Sequence, residues 1–211
     1  MIEFPEKIFV TGTDTDVGKT VVSATLCKGL GAGYWKPVQA GRDPLTDTER
    51  VKRWTGHSAG HFYPEAYSLE EPMSPHAAAD LEEVEIRMDR FKIPEQRQKH
   101  LIVEGAGGLI VPINWKETVL DLIVRCNLPV LLVGRSGLGT LNHTLMSLEV
   151  LAARGITPWG VVLNGTPHRS NEETIRYFGQ VKRLFTFTEI PTLTPDSLRQ
   201  QFEQTFLTHA F

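Results

Sequence analysis

A glycine-bounded loop near the N-terminus ends in Gly18-Lys19-Thr20 and carries the residue types that bind nucleotide phosphates. Glycine lets the backbone approach a phosphate, the lysine ammonium can reach the β- and γ-phosphates, and the threonine hydroxyl can hold Mg²⁺. Five residues separate Gly12 from Gly18, one more than in the common spacing. The alternative is a strand-to-helix turn that carries Lys-Thr by chance. Because an apolar run precedes the loop and a helical pattern follows it, we predict a phosphate-binding loop.

Two further charged residues follow apolar runs that are typical of buried strands. Lys36 comes after Tyr34-Trp35, and Glu104 comes after Leu-Ile-Val. A carboxylate at a strand end beside a phosphate loop is where a Mg²⁺ ligand belongs, and a second lysine there could stabilise a second anion. Each residue could instead be a solvent-facing charge before a turn. Asp47, which starts a predicted helix, is by itself more typical of a favourable helix N-terminal charge than of a ligand.

Other strand ends carry weaker signals. The loop 134–139 bears three glycines before a helical pattern, so its backbone N–H groups could form a second anion site. Asn164, after a later apolar run, could read a base edge. His76 and His143 have no carboxylate or cysteine at metal-ligand spacing, and we interpret both as structural. The sequence contains no zinc-type Cys/His spacing and no Gly-x-Ser-x-Gly motif.

These residues need a scaffold that brings strand ends together. Strands are predicted at 7–11, 33–37, 100–104, 129–134, 158–164 and 186–190, and helices at 19–30, 47–55, 84–98, 117–126, 140–154, 170–184 and 195–207. Several strands are continuous apolar runs, as strands buried on both faces of a parallel sheet require. The pattern predicts a single α/β domain over residues 1–211, with a doubly wound, mainly parallel sheet, helices on both faces and a P-loop NTPase-like arrangement. The three-proline stretch 63–76 is the least regular part and a candidate functional loop.

Composition excludes several classes of function. The 211 residues are 41% hydrophobic and carry a net charge of −3 without a long basic block, so no nucleic-acid partner is expected. The N-terminus lacks the pattern of a signal peptide, and no run of about 18 apolar residues indicates a membrane span. The only cysteines, Cys27 and Cys126, are predicted to be buried thiols, which fits a reducing cytoplasm.

Seven segments, in one order along nearly the whole chain, resemble the ATP-dependent dethiobiotin synthetase family of the biotin pathway. The phosphate loop with its unusual spacing and the run Glu-Gly-Ala-Gly-Gly are the most specific, whereas the later motifs are individually weak. The matching segments are 12–20, 36–41, 71–76, 103–108, 138–143, 164–167 and 189–191.

The resemblance implies the reaction and its co-substrates. The family joins CO₂ to 7,8-diaminononanoate and closes the ureido ring of dethiobiotin, with Mg²⁺ present and ATP converted to ADP and phosphate. A carbamate forms first, the γ-phosphoryl group passes to it, and the second amine displaces phosphate. Because these intermediates are anionic, the site needs cations and N–H donors rather than a nucleophilic side chain.

The resemblance also implies roles for individual residues. The catalytic residues would be Lys36 and Lys19, and the Mg²⁺ ligands Thr20, Asp47 and Glu104. Nucleotide contacts would come from these metal ligands and from Asp16, Val17, Gly18, Lys19, Val21, Gly105, Ala106, Gly107, Asn164, Gly165, Ile190, Pro191 and Thr192. The diamine would be bound by Thr15, Lys36 and Ala40 and, across a homodimer interface, by Gly139, Thr140, Leu141 and Asn142.

One position departs from the family pattern. The turn after Lys36 commonly carries Ser or Thr where this chain has Ala40. The substitution removes a hydroxyl from the implied substrate site.

Three alternatives share parts of this sequence pattern. A partition-type ATPase would carry a signature lysine early in the loop, where this chain has Asp14. A cobyrinate-type amidoligase needs a glutaminase domain with a cysteine nucleophile, for which 211 residues leave no room. A kinase of a small amine or acid would use the same phosphate chemistry, and detection of carboxylation separates it from a synthetase.

Overall fold

A seven-stranded parallel sheet forms the centre of the computed structural model, which describes residues 2–42 and 44–208. Its strands are β1 (Lys7–Gly12), β2 (Gly33–Trp35), β4 (Phe62–Tyr63), β6 (Leu101–Gly108), β7 (Val130–Arg135), β8 (Gly160–Asn164) and β9 (Leu184–Phe187). They are ordered β4-β2-β6-β1-β7-β8-β9, and each neighbouring pair is parallel. Two further strands, β3 (Val38–Ala40) and β5 (Tyr67–Leu69), form a small parallel sheet beside it.

Helices connect the strands and cover the sheet. They are α1 (Lys19–Leu30), α2 (Asp47–Thr55), α3 (Pro75–Leu81), α4 (Val119–Cys126), α5 (Thr140–Ala152), α6 (Arg169–Phe178) and α7 (Pro195–Phe202), and a π-helical turn, Glu203–Leu207, follows α7. Short 3₁₀ turns occur at Ala59–His61 and Met88–Arg90. Parallel strands need long crossover connections, and most of those here contain a helix. The predicted α/β fold class is confirmed.

Strand alternation divides the core between the two faces of the sheet. Along β1, Ile8 and Val10 pack on the side that contains Tyr34 of β2 and the buried residues of α1 and α7. Phe9 and Trp35 pack on the opposite side with residues of α3 and α4. A third cluster, under α5 and α6, covers β7, β8 and β9. Tyr34 is paired with Ile102 of β6 in the register of the sheet, so both side chains lie on the face that α1 covers.

The prediction of a helix over residues 84–98 is wrong. The segment contains only the 3₁₀ turn Met88–Arg90 and is otherwise extended or irregular. Ile86, Met88 and Phe91 are buried, whereas Val84 is exposed. Ile86 and Met88 are two residues apart, which is the spacing of an extended chain rather than of a helix face.

The proline-bearing stretch 63–76 is more regular than predicted. It begins at the last residue of β4, contains β5 and enters α3. Pro75 occupies the first position of α3, where the missing N–H group costs nothing. Pairing of β5 with β3 is a long-range contact that local sequence does not signal.

The remaining bounds differ modestly from prediction. The predicted strand 33–37 is only Gly33–Trp35, and β9 begins two residues before the predicted strand 186–190. The helix predicted to end at 184 ends at Phe178, where Gly179 follows. None of the helices within the described ranges is long and apolar enough to cross a membrane.

Candidate active site

The predicted phosphate loop joins β1 to α1, as the sequence indicated. Gly18 has φ +98°, and a Cβ atom there would lie 2.1 Å from Nδ2 of Asn164. The Asn164 side chain, at the end of β8, donates a hydrogen bond of 3.0 Å to the carbonyl oxygen of Val17. Only glycine combines this conformation with so close an approach. The loop therefore leads directly into the N-terminus of α1, where backbone N–H groups are free to bind an anion.

Lys19 is buried at the start of α1 and its ammonium group donates to the carbonyl oxygen of Asp14 at 2.8 Å. Burial lowers the pKa of Lys19 to about 8, and the positive charge of Lys36 acts in the same direction. The carboxylates of Glu104 and Asp47 partly offset both effects. The Lys36 ammonium therefore lies close enough to Lys19 to repel it. Two neighbouring cations of this kind form a site that is suited to a multiply charged anion.

Lys36 lies directly after β2 and is held between two carboxylates. Its Nζ atom forms ion pairs with Asp47 and, at 3.1 Å, with Oε1 of Glu104, and it is 3.5 Å from the carbonyl oxygen of Gly105. Burial alone would lower the pKa of Lys36, but Glu104 and Asp47 outweigh it and raise the pKa above its usual value. Lys36 is therefore a buried, charged ammonium and not a surface lysine.

Glu104 is fully buried within β6, beside Val10 of β1. Its Oε1 atom also accepts a hydrogen bond of 2.9 Å from the hydroxyl of Thr20, and its Oε2 atom accepts one of 3.0 Å from the hydroxyl of Tyr34. Burial raises the pKa of Tyr34, and the charge of Glu104 adds to this, so the tyrosine remains a donor. The predicted solvent-facing alternative for Glu104 is excluded.

Asp47 begins α2 and turns its carboxylate towards Lys36. Burial would raise the pKa of Asp47, but the charge and hydrogen bond of Lys36 outweigh it and lower the pKa, and Arg50 contributes in the same direction. A capping box formed by Thr46 and Glu49 fixes the helix start. In addition, the backbone N–H of Asp47 donates to Oε1 of Gln39 at 3.1 Å. Asp47 thus makes specific side-chain contacts beyond those of a helix N-terminal charge.

These groups line one cleft of about 650 Å³. Gln39, buried in its wall, donates to the carbonyl oxygens of Ala40 (3.2 Å) and Gly41 (2.7 Å), which fixes the turn after β3. The segment 72–75 also lines the cleft, and its Pro72 packs against Gly41. The predicted site residues that line this cleft are Thr15, Asp16, Gly18, Lys19, Thr20, Val21, Lys36, Ala40, Asp47, Glu104, Ala106 and Gly107.

Other predicted residues lie outside this cleft. Val17 and Gly105 are buried, and the carbonyl oxygen of Gly105 lies 3.5 Å from Nζ of Lys36. Asn164 contacts the phosphate loop from β8. Gly165 follows Asn164, and Ile190, Pro191 and Thr192 lie in the connection between β9 and α7. Gly139, Thr140, Leu141 and Asn142 lie at the start of α5 and do not line the cleft of the same chain.

The oxygen atoms of Thr20, Asp47 and Glu104 fit a Mg²⁺ ion by their chemistry. Magnesium prefers oxygen ligands and commonly keeps one or two protein carboxylates together with waters and phosphate oxygens. No group of three or more His, Cys, Asp or Glu side chains arranged for a metal occurs within residues 2–42 and 44–208. The set here is two carboxylates and a hydroxyl, which suits an ion that a nucleotide helps to bind.

Sequence reasoning missed several residues of the cleft. Tyr34, Gln39, Arg50 and Trp54 were not predicted, although Tyr34 contacts Glu104 and the other three line the cavity. The alternation of Tyr34 and Lys36 along an extended segment was an available signal, because residues two apart share a face. The role of Gln39 depends on contacts with α2 that have no sequence signal.

Comparisons with known proteins agree with this geometry. The sequence profile of the AAA domain family matches residues 6–197. A relative named ATP-dependent dethiobiotin synthetase BioD, from Nitrobacter hamburgensis, is 46% identical over 200 residues, which cover 95% of this chain and 94% of the relative. The chain belongs to the ATP-dependent dethiobiotin synthetase family. Family members of the same name from Brucella ovis and Rhodopseudomonas palustris are each 45% identical over 95% of this chain, and the matches cover 94% and 95% of them.

Solved structures of lower identity show the fold alone. The septum site-determining protein MinD of Pyrococcus horikoshii, solved with Mg-ADP, is 13% identical and has a TM-score of 0.53 over 93% of this chain and 86% of that chain. A chain of the MinC:MinD cell division protein complex of Aquifex aeolicus has a TM-score of 0.50 at the same identity and coverage. The P-loop fold is confirmed, and the family assignment rests on the dethiobiotin synthetases.

Proposed function

We infer that this protein catalyses the ATP-dependent closure of the ureido ring of dethiobiotin from 7,8-diaminononanoate and CO₂, with release of ADP and phosphate. Family membership supports the reaction and the use of ATP. The observation that carries the inference is the second buried lysine, Lys36, which two carboxylates hold beside the phosphate loop. A nucleotide site alone does not need it, whereas a second anion does.

The proposed reaction depends on charged groups that stabilise anions and needs no nucleophilic side chain. One amine of the substrate adds CO₂ and loses a proton to give a carbamate. A carbamate oxygen then attacks the γ-phosphorus and ADP leaves, which gives a carbamic-phosphoric anhydride. The second amine attacks the carbonyl carbon and phosphate leaves. Lys19 would stabilise the phosphate chain and Lys36 the carbamate and the charge that develops during phosphoryl transfer.

The proposal includes Mg²⁺, with Thr20, Asp47 and Glu104 as the residues that would hold it. When bound, the ion would neutralise charge on the β- and γ-phosphate oxygens. The residues themselves are preorganised, because Thr20 and Lys36 already donate to the same Glu104 oxygen.

The proposal extends to nucleotide and substrate contacts. The nucleotide would contact the loop residues 16–21, the segment 105–107, the pair Asn164 and Gly165, and the segment 190–192. Asn164 uses its Nδ2 atom to hold the phosphate loop, which leaves Oδ1 to accept a hydrogen bond from an adenine amine. The diamine would lie against Thr15, Lys36 and the turn at Ala40. Since Ala40 offers no hydroxyl, the backbone of the turn, fixed by Gln39, would provide the polar contacts there.

A homodimer is also part of the proposal. Leu138, Gly139 and Asn142 are exposed at the start of α5, outside the cleft of their own chain. A partner's copy of residues 139–142 would bind the substrate carboxylate with its backbone N–H groups. We also propose a cytoplasmic location, in keeping with the free cysteines Cys27 and Cys126.

Mass spectrometry of the products tests the function. The protein, incubated with 7,8-diaminononanoate, ¹³C-bicarbonate, Mg²⁺ and ATP, should give dethiobiotin that contains one ¹³C atom. A phosphorylated amine or acid without added carbon would instead indicate a kinase. ATP hydrolysis that does not depend on the diamine would favour a switch ATPase, although Asp14 stands where such proteins carry their signature lysine.

A further inference from the structure

Tyr34 contacts the proposed metal ligand Glu104 but does not itself line the cleft. Tyr34 is fully buried on β2, and its hydroxyl donates to Oε2 of Glu104 at 3.0 Å. The other carboxylate oxygen, Oε1, accepts hydrogen bonds from the hydroxyl of Thr20 at 2.9 Å and from the ammonium of Lys36 at 3.1 Å. The two oxygens of one carboxylate therefore have different partners: one faces the reactive groups and the other faces the tyrosine.

This division has a physical consequence for the carboxylate. Without the Tyr34 hydroxyl, Oε2 would be a fully buried anionic oxygen with no donor, which is costly. The carboxylate would then rotate towards its remaining donors, and both oxygens would compete for the ammonium of Lys36. A donor at Oε2 would oppose this rotation and would keep Oε1 directed at Thr20, one of the residues that would hold the ion.

We propose that Tyr34 is a positioning residue that fixes the orientation of Glu104 and thereby sets the affinity of the active site for a divalent cation. This role rests on the proposed magnesium site and goes beyond it. Partners that orient metal ligands typically contribute about 10–100-fold to metal affinity. Tyr34 reaches the reaction only through Glu104.

The variant Tyr34→Phe tests this role because it removes one oxygen atom and keeps the ring. Calorimetry measures the affinity for ADP with Mg²⁺ and without it. The ratio of the first affinity to the second shows how strongly the ion strengthens nucleotide binding. We expect Tyr34→Phe to lower this ratio at least about tenfold while the affinity for ADP without Mg²⁺ stays at the parental value. An unchanged ratio, or an equal loss of affinity with and without the ion, would overturn the proposal.

Tyr63→Phe is the matched control. Tyr63 is a buried tyrosine on the neighbouring strand β4, and its hydroxyl donates to Gln98 at 3.1 Å and accepts from the backbone N–H of Arg97 at 2.8 Å. Its variant loses a buried hydroxyl in the same sheet without touching Glu104. A ratio that falls equally in Tyr63→Phe would show a general effect of sheet stability and would overturn the role of Tyr34.

A double variant separates positioning from folding. Glu104→Gln removes the buried charge, so Tyr34→Phe in that background leaves no anionic oxygen without a donor and should fold even if the single variant does not. The double variant should have the same ratio as Glu104→Gln alone, because Tyr34 acts through the carboxylate. A further loss in the double variant would overturn the proposal. Formation of dethiobiotin by the parent is measured separately, so failure of the proposed function is distinguishable from failure of this role.

Discussion

At the scale of single residues, the site is a set of charges that compensate one another in a buried cleft. Lys36 forms ion pairs with both Asp47 and Glu104, and those carboxylates in turn keep Lys36 charged despite its burial. Removing one member of such a set leaves the others unpaired, which costs more than the pair contributes. Variants of these residues therefore need binding measurements beside activity measurements.

The two lysines should separate nucleotide binding from catalysis. Lys36→Ala should bind ATP nearly as the parent does but form product about 10²–10³-fold more slowly, since one preorganised charge is lost from the transition state. Lys19→Ala should lose nucleotide affinity as well as turnover, because its partner is the phosphate chain. Calorimetry of nucleotide binding and the rate of dethiobiotin formation check both variants.

The control for the lysine variants is Lys52→Ala, which removes an exposed ammonium from α2. It should behave as the parent in both measurements. Parental turnover by Lys36→Ala would contradict the catalytic assignment of Lys36.

Glu104→Gln should weaken the response of the enzyme to Mg²⁺. The amide keeps the size of the side chain but loses the charge that an ion needs, so turnover at low Mg²⁺ should fall by orders of magnitude. Titration of turnover with Mg²⁺ checks this, and circular dichroism checks the fold. Glu71→Gln, on an exposed residue beside the cleft wall, is the control. A Glu104→Gln variant that remains fully active at low Mg²⁺ would remove Glu104 from the metal site.

At the scale of elements, helix α1 has a glycine at each end, and the two glycines have different roles. One shapes the phosphate loop, whereas the other only terminates the helix. Gly18 precedes the helix with φ +98°, and Gly31 follows it with φ +60°. A Cβ atom at Gly31 would meet nothing within 4 Å, whereas one at Gly18 would meet Asn164. Both glycines permit a left-handed conformation, but only Gly18 also permits the contact between β8 and the phosphate loop.

This difference predicts the outcome of two alanine substitutions. Gly31→Ala should lower the free energy of unfolding by about 1–2 kcal/mol through backbone strain and leave nucleotide affinity unchanged. Gly18→Ala should also displace Asn164 and the loop, and nucleotide affinity should fall at least about tenfold, which corresponds to about 1.4 kcal/mol. Chemical denaturation and calorimetry measure the two effects. Equal nucleotide affinity in both variants would show that the Asn164 contact does not shape the loop.

At the scale of the whole molecule, the proposed substrate site needs two chains. The start of α5 is exposed and absent from the cleft of its own chain. A symmetric dimer, the commonest oligomer, would exchange these segments between two equivalent sites. Light scattering should therefore give twice the mass of the 211-residue chain.

Mixed dimers test this exchange. Gly139→Val should distort the α5 segment and raise the KM for the diamine, and Lys36→Ala should slow catalysis about 10²–10³-fold. If the segment acts across the interface, a dimer of one chain of each kind contains one intact site. Random reassociation of equal amounts should then restore about a quarter of parental activity. No recovery would show that the segment serves its own chain, and Gly155→Val, a glycine of positive φ in open space beyond the other end of α5, controls for backbone strain.

The thiols of the folded molecule should be unreactive. Burial raises the pKa of Cys126 to about 11 and that of the fully buried Cys27 well above its usual value. Because the thiolate is the reactive form, a disulfide reagent at pH 8 should label neither cysteine in the native protein and both in denaturant. Fast labelling of either cysteine in the native state would contradict the packing around it.

The sequence alone determined the elements and residues whose signals are local. The spacing of Gly12, Gly18 and Lys19 predicted the phosphate loop, and continuous apolar runs predicted the parallel sheet, because both depend on neighbours along the chain. The helix bounds at 19–30 and 47–55 were correct for the same reason: glycine or threonine marks each helix end. Family membership was evident from motifs that lie in one order.

Only the tertiary structure decided how the charges are paired. Lys36 is 11 residues from Asp47 and 68 residues from Glu104, and the sequence left a simpler role at the surface open for each of the three as an alternative. Their burial and mutual contacts arise because strand ends of a parallel sheet converge with the start of α2. The incorrect helix at 84–98, the unpredicted pairing of β3 with β5 and the contact of Tyr34 with Glu104 share one cause: burial and long-range partners overrule local patterns, and a single sequence contains neither.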